Sequence, residues 1–221
     1  MSGAWPLQPL GSVCEINPRT VSGGLATSTE VTFVPMSFVD ESEGRIVRRE
    51  RRTYGEVSKG YVPFRDGDVL FARITPCMQN GKAAIASDLT NGVGFGSTEF
   101  HVIRPGPRVL AEWVFALVRQ ACFRAAAEAS FTGTAGQQRV PASFMARVPI
   151  PVPPLPEQGR IVKLLDAAEE LRRLRTAADH RTADLIPALF HEIFGDPTSN
   201  PKRWDVVEMR EILDGTPNYA P

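Results

Sequence analysis

The chain has 221 residues, 43% of them hydrophobic, and its 25 Lys and Arg balance 25 Asp and Glu. That length fits one large domain or one domain with an appendage, and the composition is ordinary for a globular protein. No apolar run approaches the ~20 residues needed to cross a bilayer, so no membrane partner is expected, and zero net charge gives by itself no sign of nucleic acid. The opening MSGAWPLQPLG has neither a basic start nor an apolar core, unlike a secretion signal. Cys14, Cys77 and Cys122 are far apart and odd in number, as in a reduced, cytoplasmic protein. All three are expected to be packed and inert. Residues 1–155 carry 16 Lys and Arg against 13 Asp and Glu, and residues 156–221 carry 9 against 12. This asymmetry permits a DNA face on the first part without arguing for one.

Three zones follow along the chain. In residues 1–147 short strand-like runs occur at Val31–Val34, Val69–Ile74, Lys82–Ala86 and Phe100–Arg104. The turn signals Asp66-Gly67, Asn80-Gly81, Asn91-Gly92 and Pro105-Gly106 separate them. The glycine-rich Gly92–Gly96 (GVGFG) reads as a turn, because it lacks the strand-to-helix setting of a nucleotide loop. From Val109 to Glu128 the apolar residues Leu110, Trp113, Val114, Leu117, Val118 and Cys122 lie on one face of an amphipathic helix. The zone is an α+β domain rich in strands.

The second zone opens with VPIPVPPLPEQ, whose five prolines in nine positions favour an extended, stiff segment. A helix is predicted from Pro156 to Phe194. Proline suits a helix start, Glu157 the positive end of its dipole and Gly195 its stop. Leu164, Ala168, Leu171, Ala178, Leu185 and Leu189 alternate at spacings near three and four, with Arg175 and Thr182 interrupting. Leu174 belongs to a second apolar edge. So long a helix packs lengthwise on another, and Leu164, Leu171, Leu174, Leu185 and Leu189 are the expected interface. Pro187 is expected to kink or split it.

The third zone repeats the first. Trp5, Leu7, Leu10 and Val13 have the same spacing as Trp204, Val206, Met209 and Ile212, as if a second copy of one unit began near the C-terminus. The residues after 204 are expected to form an ill-ordered tail or to pack on the first domain.

Five motifs in order carry a family resemblance: the Trp5-led WPLQPLGSVCEI, GDVLFARITPCMQNGKAAI at 67–85, GFGSTEFHVIRP at 94–105, FTGTAGQQRVP at 131–141, and IPVPPLPEQGRI at 150–161. LIPALFHEIFGDP at 185–197 closes the helix in a similar way. The chain resembles specificity subunits of type I restriction-modification systems, whose two target-recognition domains are each followed by a long helix. The resemblance implies a recognition domain at 1–155, a spacer helix for dimerisation and docking at 156–195, and the start of a second recognition domain at 196–221. The rest of that second domain is missing, which leaves a natural half subunit, a truncated gene and a piece cut from a longer protein all open. It also implies double-stranded DNA with a bipartite target, adenine methyltransferase subunits and a restriction subunit that translocates and cleaves as partners. The chain is expected to pair with a second copy through the helix and to bind no cofactor itself. S-adenosylmethionine, ATP and magnesium belong to the partner subunits.

The residues themselves offer little catalytic chemistry. An adenine methyltransferase needs an Asn/Asp-Pro-Pro-aromatic loop, and the sequences at Asn17 (NPRT) and Asn200 (NPKR) lack its second half. There is no Gly-Lys-Ser/Thr phosphate loop. His101, His180 and His191 are too scattered for a metal site, and Glu99 and Asp68 lack a nuclease pattern. A stand-alone DNA-binding regulator and a fragment of a fused methyltransferase-nuclease remain alternatives.

A DNA reader needs cations for phosphates and planar hydrogen-bonding side chains for base edges. Three stretches offer them. The first is Arg73, Thr75, Gln79, Asn80 and Lys82, where Arg73 equally suits a pair with Asp68. The second is the loop from Gly133, with Gln137, Gln138 and Arg139, which equally suits a structural turn. The third is Arg45 to Arg52, with Arg48 and Arg51 as its readers, or else a solvated hairpin offset by Glu41, Glu43 and Glu50.

Overall fold

The computed structural model describes residues 5–19, 24–134 and 137–214. It divides into two compact units, Met1–Leu165 and Asp166–Pro221. The first unit begins with strands β1 (Leu7–Pro9), β2 (Cys14–Ile16), β3 (Glu30–Val34), β4 (Val39–Asp40), β5 (Arg45–Ile46) and β6 (Glu50–Thr53). A one-turn helix α1 (Tyr54–Val57) leads to β7 (Val62–Arg65), β8 (Val69–Ala72), β9 (Ala83–Ile85), β10 (Val93–Gly96) and β11 (Phe100–Pro105). Helices α2 (Ala111–Val118), α3 (Ala121–Glu128) and α4 (Ala142–Arg147) precede β12 (Pro149–Pro151) and the long helix α5 (Leu155–Phe194), and α6 (Met209–Asp214) lies near the C-terminus.

Two four-stranded sheets organise the first unit, in the orders β6-β3-β10-β7 and β2-β11-β8-β9, beside the two-stranded pairs β1-β12 and β4-β5. The β3–β10 contact is parallel and the other ladders are antiparallel. Side chains alternate across a strand, so β8 serves two cores at once. Val69 and Phe71 join Trp113, Val114, Leu117, Phe123 and Met145 of the helices. Leu70 joins Val34, Phe64, Phe100 and Val102. A third cluster, Val31, Phe33, Val57, Val93 and Phe95, draws on the first sheet and α1. Every residue of β8 is consequently buried, which is why it reads as an unbroken apolar run.

Two expectations need correction. Gly92–Gly96 is no turn, since Val93–Gly96 is the buried strand β10, hydrogen-bonded on both sides. Its glycines are there for space. A Cβ on Gly94 would fall 2.1 Å from the Phe64 ring, and one on Gly96 would fall 2.5 Å from the Val34 carbonyl oxygen. The predicted single helix over 109–128 is two. Arg119 caps α2, and Gln120 is extended (φ −64°, ψ 141°) as it opens α3. The Arg119 guanidinium donates to the carbonyls of Glu41 and Ser42 at 3.2 and 3.0 Å. The break shifts the apolar phase by one residue. Phe123 and Ala127 are therefore buried while Cys122, expected to be packed, is exposed. Burial pushes the Cys14 thiol up to about 11.

The helix α5 is held at its start by a fully buried side chain. Gln158 Oε1 accepts from the Leu110 N–H at 2.9 Å, and its Nε2 donates to the carbonyls of Arg108 and Pro153 at 2.9 and 2.8 Å. The helix runs through Pro187 without a split. Gly195, at φ +80°, ends it with its N–H on the His191 carbonyl. In the second unit the Trp204 indole donates to the Phe194 carbonyl at 3.0 Å, and Lys202 donates to the carbonyls of Glu192 and Ile193. These donors satisfy carbonyls that a helix end leaves unpaired. The two members of the Trp repeat thus differ in setting. Leu10 and Val13 are buried, whereas Met209 and Ile212 are exposed. The segment 215–221, part of the expected second-domain start, lies outside the described residues.

Candidate nucleic-acid interface

The first two predicted stretches, some sixty residues apart in sequence, are hydrogen-bonded to one another. Beyond β8 the chain continues the ladder for one more step, with the Arg73 N–H donating to the Glu99 carbonyl at 2.9 Å. The 131–140 segment then takes the next place. Val140 N–H donates to Arg73, Thr75 N–H donates to Gln138, and Ile74 bridges Arg139 in antiparallel fashion. A second bridge, Thr132 to Arg139, closes the 131–140 segment on itself. Gln79, Asn80 and Gln137 are exposed, and Gln138, Arg139, Arg73 and Thr75 are half-buried. Ala135 and Gly136, within the same predicted loop, lie outside the described residues.

Arg139 is fixed by Glu99. Its Nε donates to both carboxylate oxygens at 3.0–3.1 Å, its Nη2 to Oε1 at 2.8 Å and its Nη1 to the Gln137 carbonyl at 3.0 Å. A guanidinium has five N–H groups, so one on each of Nη1 and Nη2 is left for another acceptor. Hydrogen bonds from Arg139, aided by the charge of Arg73, hold the Glu99 carboxyl below its usual range. The same hydrogen bonds raise Arg139.

His101 supports this arrangement from below. Its Nε2 lies 2.8 Å from the Val140 carbonyl, so that nitrogen carries the proton, and its Nδ1 accepts from Asn17 Nδ2 at 3.1 Å. Burial pushes the ring down to about 4, keeping it neutral. His101, Asn17 and Glu99 were not expected to matter here. No local signal marks them, because each acts through a partner dozens of residues away.

The remaining candidates are more committed to the fold. Gln79 donates to Glu128 at 2.5 Å, and Asn80 donates to Glu41 at 3.2 Å. Lys82, mostly buried, pairs with the same Glu41 at 3.6 Å. Arg73 does not take Asp68, which is buried against Arg104 through a two-pronged pair at 2.8 and 2.9 Å. Instead, Arg73 Nε and Thr75 Oγ1 are the buried side-chain polar atoms without a hydrogen-bond partner among the described residues.

The arginine run stands apart, on the β4–β5 hairpin, edge strand β6 and the connection between them. Arg48 stacks over Phe38 and Arg52 over Phe33, at 4.8 and 4.0 Å. Arg45 pairs with Glu43, Arg49 with Asp88, Arg51 with Glu30 and Arg52 with Glu50. Arg48 and Arg51 remain exposed. Among the described residues no group of three His, Cys, Asp or Glu is placed to hold a metal ion. The expected interface side chains Leu164, Leu171, Leu174, Leu185 and Leu189 are all exposed.

A family profile described as "Type I restriction modification DNA specificity domain" matches residues 4–177. The specificity subunit of the type I restriction enzyme EcoEI of Escherichia coli is 37% identical over 174 residues, 76% of this chain and 29% of that protein. The EcoAI specificity subunit, also of Escherichia coli, is 39% identical over 160 residues, 72% of this chain and 27% of that protein. The chain thus spans under a third of the length of these curated relatives. The solved specificity subunit HsdS of Thermoanaerobacter tengcongensis shares 27% identity at a TM-score of 0.64, over 93% of this chain and 52% of that one. A chain from a structure reported for assembly and conformational transition of the type I R-M system matches at 26% identity and a TM-score of 0.68, over 94% of this chain and 52% of that one.

Proposed function

Since the chain belongs to the family of type I restriction-modification DNA specificity domains, we propose that its first unit reads one half of a bipartite DNA target and that α5 acts as the spacer between readers. The loops 73–82 and 131–140 form the reading surface. The observation that carries this is their direct pairing, which brings Gln137, Gln138 and Arg139 beside the chain that leaves β8 at residues 73–75. Arg and Gln are the side chains that read guanine and adenine edges in the major groove. Gln79 and Asn80 offer further amides at its rim, while Lys82 neutralises Glu41. Arg51 on β6 and Arg48 just before it would meet phosphates at a separate edge.

In this reading the chain carries out no catalysis and lends its specificity to adenine methyltransferase and restriction subunits, to which S-adenosylmethionine, ATP and magnesium belong. Residues 1–155 are the recognition domain, 156–195 the spacer and 196–221 the start of a second recognition domain. The exposed Leu164, Leu171, Leu174, Leu185 and Leu189 make α5 the element that pairs with a second copy. The test is selection of duplexes from a randomised pool by the purified chain. Enrichment of a defined sequence, weakening steeply with salt as phosphate contacts require, supports the reading. Binding without sequence preference contradicts it.

A further inference from the structure

We propose that Glu99 exchanges arginine partners when DNA is read, Arg139 leaving its carboxylate for the DNA and Arg73 taking its place. This rests on the reading surface described above and assigns Glu99 and Arg73 a positioning role in it.

Three observations meet at this carboxylate. Arg73 lies opposite Glu99 in the extended β8–β11 ladder, with its N–H on the Glu99 carbonyl at 2.9 Å. Opposed residues of an antiparallel pair hold their Cβ atoms about 4.5–5.5 Å apart, well within reach of an arginine fork. Second, Arg73 Nε is buried with no acceptor, and its charge already acts on Glu99. A buried donor left unpaired is unusual and calls for a reason. Third, the present partner is the one that reaches the surface. The Arg139 side chain is 33% exposed, on a segment whose Gln137 is exposed, whereas Arg73 continues a core strand.

The exchange also solves an electrostatic problem. If Arg139 simply let go, Glu99, with its side chain 26% exposed, would present an unpaired anion to the phosphates. Like charges in such a position repel. When Arg73 takes the carboxylate, the Nε–H and Nη–H bonds given up by Arg139 are replaced in kind. The orphaned Nε is satisfied, and the exposed positive charge moves outward to the DNA. No charge is created or lost. The position of Arg139 changes, and with it the acceptor it meets, which is either guanine O6/N7 or a phosphate oxygen.

The test is a double-variant cycle on the full chain, with the duplex that wild type enriches from a randomised pool and a scrambled duplex as probes. Arg139→Ala is expected to weaken the selected duplex by about tenfold or more. If it erases preference at one base pair, Arg139 reads guanine. If it weakens both duplexes equally, Arg139 meets phosphate. Arg73→Ala is expected to weaken binding by about tenfold, because Glu99 is stranded when Arg139 departs. Adding Glu99→Gln to Arg73→Ala should remove that penalty, so that the double variant binds as Glu99→Gln alone does. Arg73→Gln, which lacks both the charge and the Nε donor, should show the same rescue and serves if Arg73→Ala is poorly folded. Arg73 variants that bind normally, or that bind poorly with and without Glu99→Gln, overturn the exchange while DNA reading stands. Wild type that enriches no duplex overturns both.

Discussion

The two units use apolar residues in opposite ways. In Met1–Leu165 three clusters bury nearly every large apolar side chain of the strands, and the charged pair in the core, Asp68–Arg104, is closed on both sides. In Asp166–Pro221 the leucines of α5 face solvent, and Leu171 and Leu185 are 68% and 53% exposed. The polar face of α5 is stitched by Glu169–Arg172 and Glu170–Arg173 at i,i+3, and such surface pairs add little. One unit is complete in itself. The other carries an apolar stripe that only packing against another helix would make stable.

The largest expected effect falls on that stripe. Leu171→Glu together with Leu185→Glu should convert a self-associating chain into a monomer, measured by light scattering at micromolar concentration, with the unfolding of the first unit unchanged. A wild-type chain that is already monomeric there breaks the comparison.

Inside the first unit the converse holds. The side chains of Asp68 and Arg104 are 1% and 12% exposed. Arg104→Ala should therefore cost about 3–5 kcal/mol, because it strands a buried carboxylate. Denaturant unfolding checks this, and a loss below 1 kcal/mol would mean the pair behaves as a surface one.

A smaller effect, confined to acid, is expected at His101. Its folded value is pushed down to about 4 from 6.5. The unfolded chain therefore binds the extra proton first, and the stability is fully present above pH 6.5 and lost as pH falls towards 4. The loss should be about 3 kcal/mol. His101→Gln, which keeps a donor for the Val140 carbonyl, should flatten the slope in that window, as read by urea midpoints at several pH values.

Much of this architecture was legible in the residues. The α+β character, the strands at Val31, Val69, Lys82 and Phe100 and the helix to Phe194 follow from periodicity and punctuation. What failed, failed for tertiary reasons. β10 has two glycines because the Phe64 ring and the Val34 carbonyl fill the space that side chains would need, and spacing alone reads such glycines as a turn. The α2–α3 break depends on where the core lies beneath Phe123. For the site, the residue types of both loops were visible, and so was their separation in sequence. Their pairing through Ile74 and Arg139 was not, nor was the acid each arginine would choose. Asp68 went to Arg104 because the β8–β11 register sets them opposite one another, whereas Glu99 took Arg139 although that register sets it opposite Arg73.

The most direct measurement is duplex selection from a randomised pool with two versions of the full chain, wild type and one in which Gln137, Gln138 and Arg139 are all alanine. Two identical readers related by a two-fold axis face opposite ways. Wild type should therefore enrich an inverted repeat with an unread gap. A helix of 40 residues spans about 60 Å, which at about 3.4 Å per base pair limits the distance between readers to roughly 18 base pairs. The triple variant should keep salt-sensitive binding and lose the sequence preference. The same motif recovered from both proteins would show that the 131–140 loop is not the reader, and a single asymmetric motif from wild type would contradict pairing of two copies through α5.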